Sequence, residues 1–182
     1  MVRRWRHHRR AHLAVALLAC GTSRADKQAG LEATLAVPFA PWRNAVGPAA
    51  GGSLWLRVPA APLVDVTLRV GAMVHGDAPV MGTLARARLS EIPLLAGARY
   101  RATDGALRVV FEGEVGLVFA RTDVDLGMAS ESSAPIRLAS SLGVALEYDR
   151  FSLRADAWLA DLSNLDQAIG VTLSLGARVI RW

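Results

Sequence analysis

Two glutamates, Glu112 and Glu114, interrupt the apolar run "VVFEGEVGLVF" from Val109 to Phe119. Neighbouring carboxylates are groups that general acid–base catalysis employs. They are also costly in apolar surroundings unless they are paired or lose their charge. His75 and Asp77 form a second candidate. A hydrolytic His/Ser/acid arrangement there would need Ser53 or Ser90 brought in from a neighbouring segment. The third candidate is "DVD", Asp123 to Asp125, which with Glu131 offers hard oxygen ligands to a divalent cation. Each has a plainer reading. His75 and the acidic stretch read as solvated loop residues, and the two glutamates read as ion-pair partners of Arg99 and Arg101. The plainer readings are the expectation: no catalytic residue, no metal and no cofactor.

Which elements hold these residues is constrained by composition. The chain has 182 residues, one cysteine, a mean hydropathy of +0.28 and a pI near 10.6. It contains no run of eighteen or more apolar residues, so no transmembrane helix is expected. The basic balance is local. Residues 1–25 carry Arg3, Arg4, Arg6, Arg9, Arg10 and Arg24 without an acid, whereas residues 26–182 carry fifteen basic and sixteen acidic residues. That distribution, with no basic–aromatic interleaving and no phosphate-cradling glycine loop, argues against nucleic acid as a partner. The basic start followed by "AHLAVALLA" (Ala11 to Ala19) reads as a signal peptide of residues 1–25, cut after "SRA". A competing cut follows "LLA", which would leave residues 1–19 as the leader and make Cys20 a lipidated N-terminus. Cys20 being the only cysteine, the body of the chain has no disulfide.

Beyond the leader the periodicity is two, the signature of strands with two distinct faces. In "LVDVTLRVGAMV", Val64, Val66, Leu68, Val70, Ala72 and Val74 share one face, against Asp65, Thr67, Arg69, Gly71 and Met73. Similar alternation runs through Leu31–Phe39, Leu54–Val58, Glu91–Ala102, Leu107–Phe119, Arg137–Tyr148, Phe151–Leu159 and Ala168–Trp182. Eight strands result, with no helical period. Their connections alternate between short ("PAAP", "TDGA", Asp149-Arg150) and longer (about Pro41–Gly52, His75–Leu89, Thr122–Pro135). This rhythm is that of an antiparallel up-and-down transmembrane barrel. If Val109, Phe111, Val115, Leu117 and Phe119 face lipid, Glu112 and Glu114 face the lumen. The same parity sends Arg57, Asp65, Arg69, Glu91, Arg99, Arg101, Arg108, Arg137, Glu147, Arg154, Asp156 and Arg178 inward. Tyr100, Tyr148 and Phe151 fall at one edge of the lipid band, and Phe39, Trp42 and Phe119 at the other, as interfacial girdles should. Phe111 reads as mid-strand bulk, while Trp55 and Trp158 have lumen parity.

With "SEIPLLAGARYRA" (Ser90 to Ala102), "EGEVGLVFARTDVD" (Glu112 to Asp125) and the ending "GARVIRW", residues 29–182 resemble the small eight-stranded outer-membrane barrels of the OmpX and OmpA transmembrane-domain type. The resemblance implies an all-β fold in the bacterial outer membrane, in contact with membrane lipid and lipopolysaccharide. It also implies that the terminal aromatic, Trp182, is read by the barrel-assembly machinery. Trp182 and Ile180 share parity with Arg178, so a bulge or frayed end must intervene.

The functional expectation is an integral barrel with a charge-filled lumen and a structural or surface-interaction role through its outside loops, toward an unidentified surface ligand, and not a general porin. The alternatives are a lipid-modifying enzyme with its site at the rim near His75, and a soluble periplasmic carrier of lipocalin type. For the leader, N-terminal sequencing of the exported protein should begin at Asp26; a lipidated Cys20 at the terminus would establish the other cut.

Overall fold

The computed structural model describes residues 26–39, 43, 46–79, 86–125, 130–163 and 168–182. The leader with Cys20, and Trp42, lie outside them. Ten β-segments follow one another: β1 (Gln28–Pro38), β2 (Ala49–Ala61), β3 (Val64–His75), β4 (Ala78–Pro79), β5 (Arg86–Arg101), β6 (Leu107–Asp125), β7 (Ser130–Ser133), β8 (Ile136–Tyr148), β9 (Phe151–Leu159) and β10 (Ile169–Arg181). Pairing is antiparallel throughout. The short β4 prolongs the line of β3 against β5, and β7 prolongs that of β8 against β6. The ten segments therefore make eight staves. The sheet closes because β1 pairs with both β2 and β10 while β5 pairs with β6.

Burial alternates along every stave, and its sense is the reverse of a soluble protein's. Leu31, Leu54, Val70, Leu94, Leu117, Leu142 and Leu175 stand exposed on the outer face. Glu32, Arg57, Arg69, Arg99, Glu112, Glu114 and Arg154 are buried inside. A contiguous apolar exterior of this kind is far beyond what a soluble monomer displays, whereas in hydrocarbon it is the favoured surface. Closure leaves the wall with no unpaired sheet edge, which is what allows strands to cross lipid. An apolar carrier of lipocalin type would need the opposite polarity.

Asp26, Trp182 and the short connections share one end of the barrel, called here the turn end. Asp149 there adopts φ 51°, a left-handed conformation that Asp tolerates better than most residues, and closes β8 onto β9 with Arg150. The opposite, loop end carries the longer connections.

Sequence and structure differ at several edges. β2 begins at Ala49, so the glycines Gly51 and Gly52 lie in a strand and not in a loop. The reason is close packing: a Cβ at Gly51 would press on the backbone and side chain of Met73. β5 starts at Arg86 and β6 runs to Asp125, so two of the long loops are partly ribbon that rises past the apolar band. Phe111 is not mid-wall bulk; it stands opposite Tyr100 in the aromatic belt at the turn end, where Tyr148 also faces Phe151.

The bulge demanded by the C-terminal parity is present. Ala29 pairs with Ile180 but Gly30 pairs with Arg178, so Val179 is the extra residue. It turns Ile180 and Trp182 outward, both more than half exposed.

This topology fixes sidedness relative to the termini. Epitope tags placed between β4 and β5, or between β6 and β7, should be labelled on intact cells, whereas tags at Asp104-Gly105 or Asp149-Arg150 should be labelled only after the outer membrane is opened. Labelling of the short turns on intact cells would invert the orientation.

Candidate functional site

Among the described residues the lumen concentrates chemistry-bearing side chains, and all eight staves contribute to it. β6 supplies Glu112 and Glu114 from alternate positions on its inner face. Their aim is set by the parity that puts Phe111, Val115 and Leu117 outside. β2 supplies Arg57, β3 Arg69, β5 Arg99 and β9 Arg154, each also on an inner position. Glu112 meets all four: Oε1 faces Arg57 at 3.5 Å and Arg99 at 3.2 Å, and Oε2 faces Arg69 at 3.4 Å and Arg154 at 3.3 Å. Glu114 accepts from Arg69 Nε at 2.9 Å, from the Thr67 hydroxyl at 3.0 Å and from Ser141 at 3.4 Å. Glu147 bridges Arg57 and Arg99, each at 2.7 Å. Asp156 takes Arg154 at 3.1 Å and the Thr172 hydroxyl at 3.0 Å.

Small residues make room for these long side chains. At Gly143 a Cβ would collide with Asp156 Oδ1, and at Gly97 it would press on Glu114. Gly30 lies under the Trp55 indole, which explains why that tryptophan has inward parity. Trp55 is buried in the lumen, with the Arg57 guanidinium stacked 3.8 Å from its ring centre.

Toward the loop end the character changes. Met73, Leu95, Val118, Ala139 and Trp158 are buried together in an apolar layer across the lumen. Beyond it, His75 is 2 % exposed, with Nδ1 2.9 Å from the Gly47 carbonyl and Nε2 3.4 Å from Glu91. An ionic layer and an apolar layer thus follow one another along the lumen.

Several expectations are thereby resolved. Arg57, Asp65, Arg69, Glu91, Arg99, Glu112, Glu114, Arg154 and Asp156 are buried inside, and Arg101, Glu147 and Arg178 are partly so. Arg99 does pair with Glu112, but Arg101 does not reach the glutamates. It lies at the end of β5 and faces Asp65 at 3.5 Å. Arg178 faces Asp149 at 3.8 Å in the turn, and Arg137 faces Asp161 at 3.8 Å near the loop end.

His75 is not a solvated loop residue, because β3 extends through it and its inner parity buries it. Among the described residues no hydrolytic triad forms around it. Ser53 donates to Glu32 at 3.2 Å, several rungs away, and Ser90 belongs to the outward parity of β5. Asp123 pairs with Arg121, and Glu131 lies opposite Val124, on the other face of the β6–β7 ribbon from Asp123 and Asp125. Among the described residues no group of three metal-ligating side chains converges.

One member of the network was missed. Glu32 on β1 is 4 % exposed and pairs with Arg69 and, at 3.4 Å, with Arg154. The alternation of Leu31, Ala33 and Leu35 around it was the available signal. The apolar layer was also missed, since its members carry no charge to mark the inner face.

No family model matches this chain, and no curated protein matches it. Solved structures do. The attachment invasion locus protein Ail of Yersinia pestis superposes with a TM-score of 0.62 at 17% identity, covering 87% of this chain and 99% of that one. Ail in complex with the heparin analogue sucrose octasulfate gives 0.58 with the same identity and coverage. Neisserial surface protein A gives 0.50 at 18% identity, covering 86% of this chain and 97% of that one. The fold is that of the small eight-stranded outer-membrane barrels.

Removing one member of a buried ionic network strands its partners, at a cost of about 3–5 kcal/mol. Glu112→Leu leaves four guanidiniums short of a carboxylate, so it should lower the unfolding midpoint in detergent clearly more than Leu117→Ala, which trims only an outward-facing side chain. Equal midpoints for the two variants would show that Glu112 does not organise the lumen.

Proposed function

We propose that this protein is an integral outer-membrane barrel that works as a sealed anchor, presenting its loop end at the cell surface for interaction, and that it has neither channel nor enzymatic activity. The observation that carries the reading is the doubly filled lumen. Eight strands leave an interior just wide enough for side chains to fill, and here Glu112 with its four arginines fills one level while Met73, Leu95, Val118 and Trp158 fill the next. Side chains occupying both levels support a reading without a water-filled channel.

The outer face supports the same location. Its apolar band ends in aromatic residues at the turn end, and Phe39 and Phe119 lie toward the loop end. Membrane lipid and lipopolysaccharide are the natural contacts of that face, and outward-turned Trp182 is positioned for recognition by the assembly machinery. The surface role is favoured by the names of the similar structures, one an attachment invasion locus protein and one a surface protein. The ligand of the loop end is unidentified.

The native protein should fractionate with outer membranes and migrate faster on gels unheated than boiled. In planar bilayers it should show no steady conductance; stable porin-like openings would overturn the sealed-anchor reading while leaving the membrane location intact.

A further inference from the structure

Two buried polar atoms of opposite sense belong to the wall of one cavity. Asp156 and Trp158 occupy successive inner positions of β9 and are 2 % and 3 % exposed. Among the described residues the Trp158 indole N–H has no acceptor, and Asp156 Oδ1 has no donor. Both residues line a cavity of about 40 Å³, bounded by Arg69 and Arg154 of the ionic layer and by Met73 and Leu95 of the apolar one.

The charges on this wall are already paired. Arg154 faces Asp156 Oδ2 at 3.1 Å and Arg69 faces Glu114 at 2.9 Å, so the cavity favours an ion of neither sign. The hydroxyls are committed in one sense. Ser141, directly across from Trp158, donates to Glu114, and Thr172, directly across from Asp156, donates to its Oδ2. Each has spent its hydrogen on a carboxylate and offers the cavity only oxygen lone pairs. An occupant must therefore be small and neutral. It must accept from an indole N–H and donate to a carboxylate and to hydroxyl oxygens. Water does all three, and at roughly 10–15 Å³ per molecule the cavity has room for about two or three.

We propose that this cavity binds a small internal water cluster that bridges the Trp158 N–H to Asp156 Oδ1, with the Ser141 and Thr172 oxygens as further acceptors. A buried donor or acceptor left unsatisfied carries its full desolvation cost, and the bridge relieves both groups at once. It also joins the ionic layer to the apolar one along β9 and reaches across to β8 and β10. Side chains fill the lumen on either side of the cavity, so these waters are held longer than those of an open surface.

The test is NMR of the folded full barrel in deuterated detergent with isotope-labelled tryptophan, reading magnetisation transfer between water and the indole protons. The Trp158 signal is the one that Trp158→Phe removes. Wild type should show a Trp158–water cross-peak of opposite sign in laboratory-frame and rotating-frame spectra, the mark of direct contact with a bound water; proton exchange gives the same sign in both. Leu95→Phe, which grows the apolar wall into the cavity, should remove this peak and shift the indole proton upfield as its hydrogen bond is lost. Ser141→Ala should keep the peak, because a water and not the hydroxyl is the neighbour. Absence of a direct cross-peak in wild type would overturn the proposal, whether or not either variant folds. Loss of the peak in Ser141→Ala would overturn it by making the hydroxyl the source, and its survival in Leu95→Phe by placing the water elsewhere.

Discussion

One carboxylate organises this barrel. Glu112 is the only side chain that touches all four central arginines among the described residues, and those arginines come from β2, β3, β5 and β9. Each stave that contributes must hold one register, because a slip of a single residue would turn its arginine into the apolar exterior and a leucine or valine into the lumen. The outer wall cannot impose this by itself. Lipid receives any apolar side chain with little discrimination, so the exterior fixes which face is out without fixing which rung meets which. The ionic layer supplies that information, and the glycines at 97 and 143 are the shape it requires from the neighbouring staves, paired directly with Glu114 and Asp156.

Much of this was legible from alternation alone. Polar and apolar parity located all eight staves, and it separated Glu112 and Glu114 from Phe111 and Leu117 correctly because a barrel's two faces differ more sharply than those of a soluble sheet. Parity also required an irregularity near the C-terminus, and Val179 provides it. What parity could not supply was partnership. Arg101 and Arg99 look equivalent in sequence, yet the first ends its strand beside Asp65 while the second reaches Glu112. Such choices depend on strand stagger, which arises only when distant staves are laid side by side.

The same limit hid Glu32. It is a single acid in an otherwise small and apolar strand, and its partners Arg69 and Arg154 lie far along the chain. His75 was misplaced for a different reason. The residues after it, Gly76 and Asp77, are loop formers, and the strand was expected to end before it. Its ring instead ties the Gly47 carbonyl toward Glu91 and so belongs to the inner face. The division of labour that results is simple: the inside specifies the register and the outer wall presents an apolar face to lipid.

The pairing of β1 with β10 has a consequence in time. Asp26 and Lys27 meet Arg181 and Trp182, with mutual backbone bonds between Lys27 and Trp182 at 2.9 and 3.1 Å. The first stave therefore has an unpaired edge until the last has arrived. Pairings between such remote segments are slow to find because the intervening loop entropy is lost before any contact repays it. The contact of the last stave with the first is therefore the one that closes the sheet.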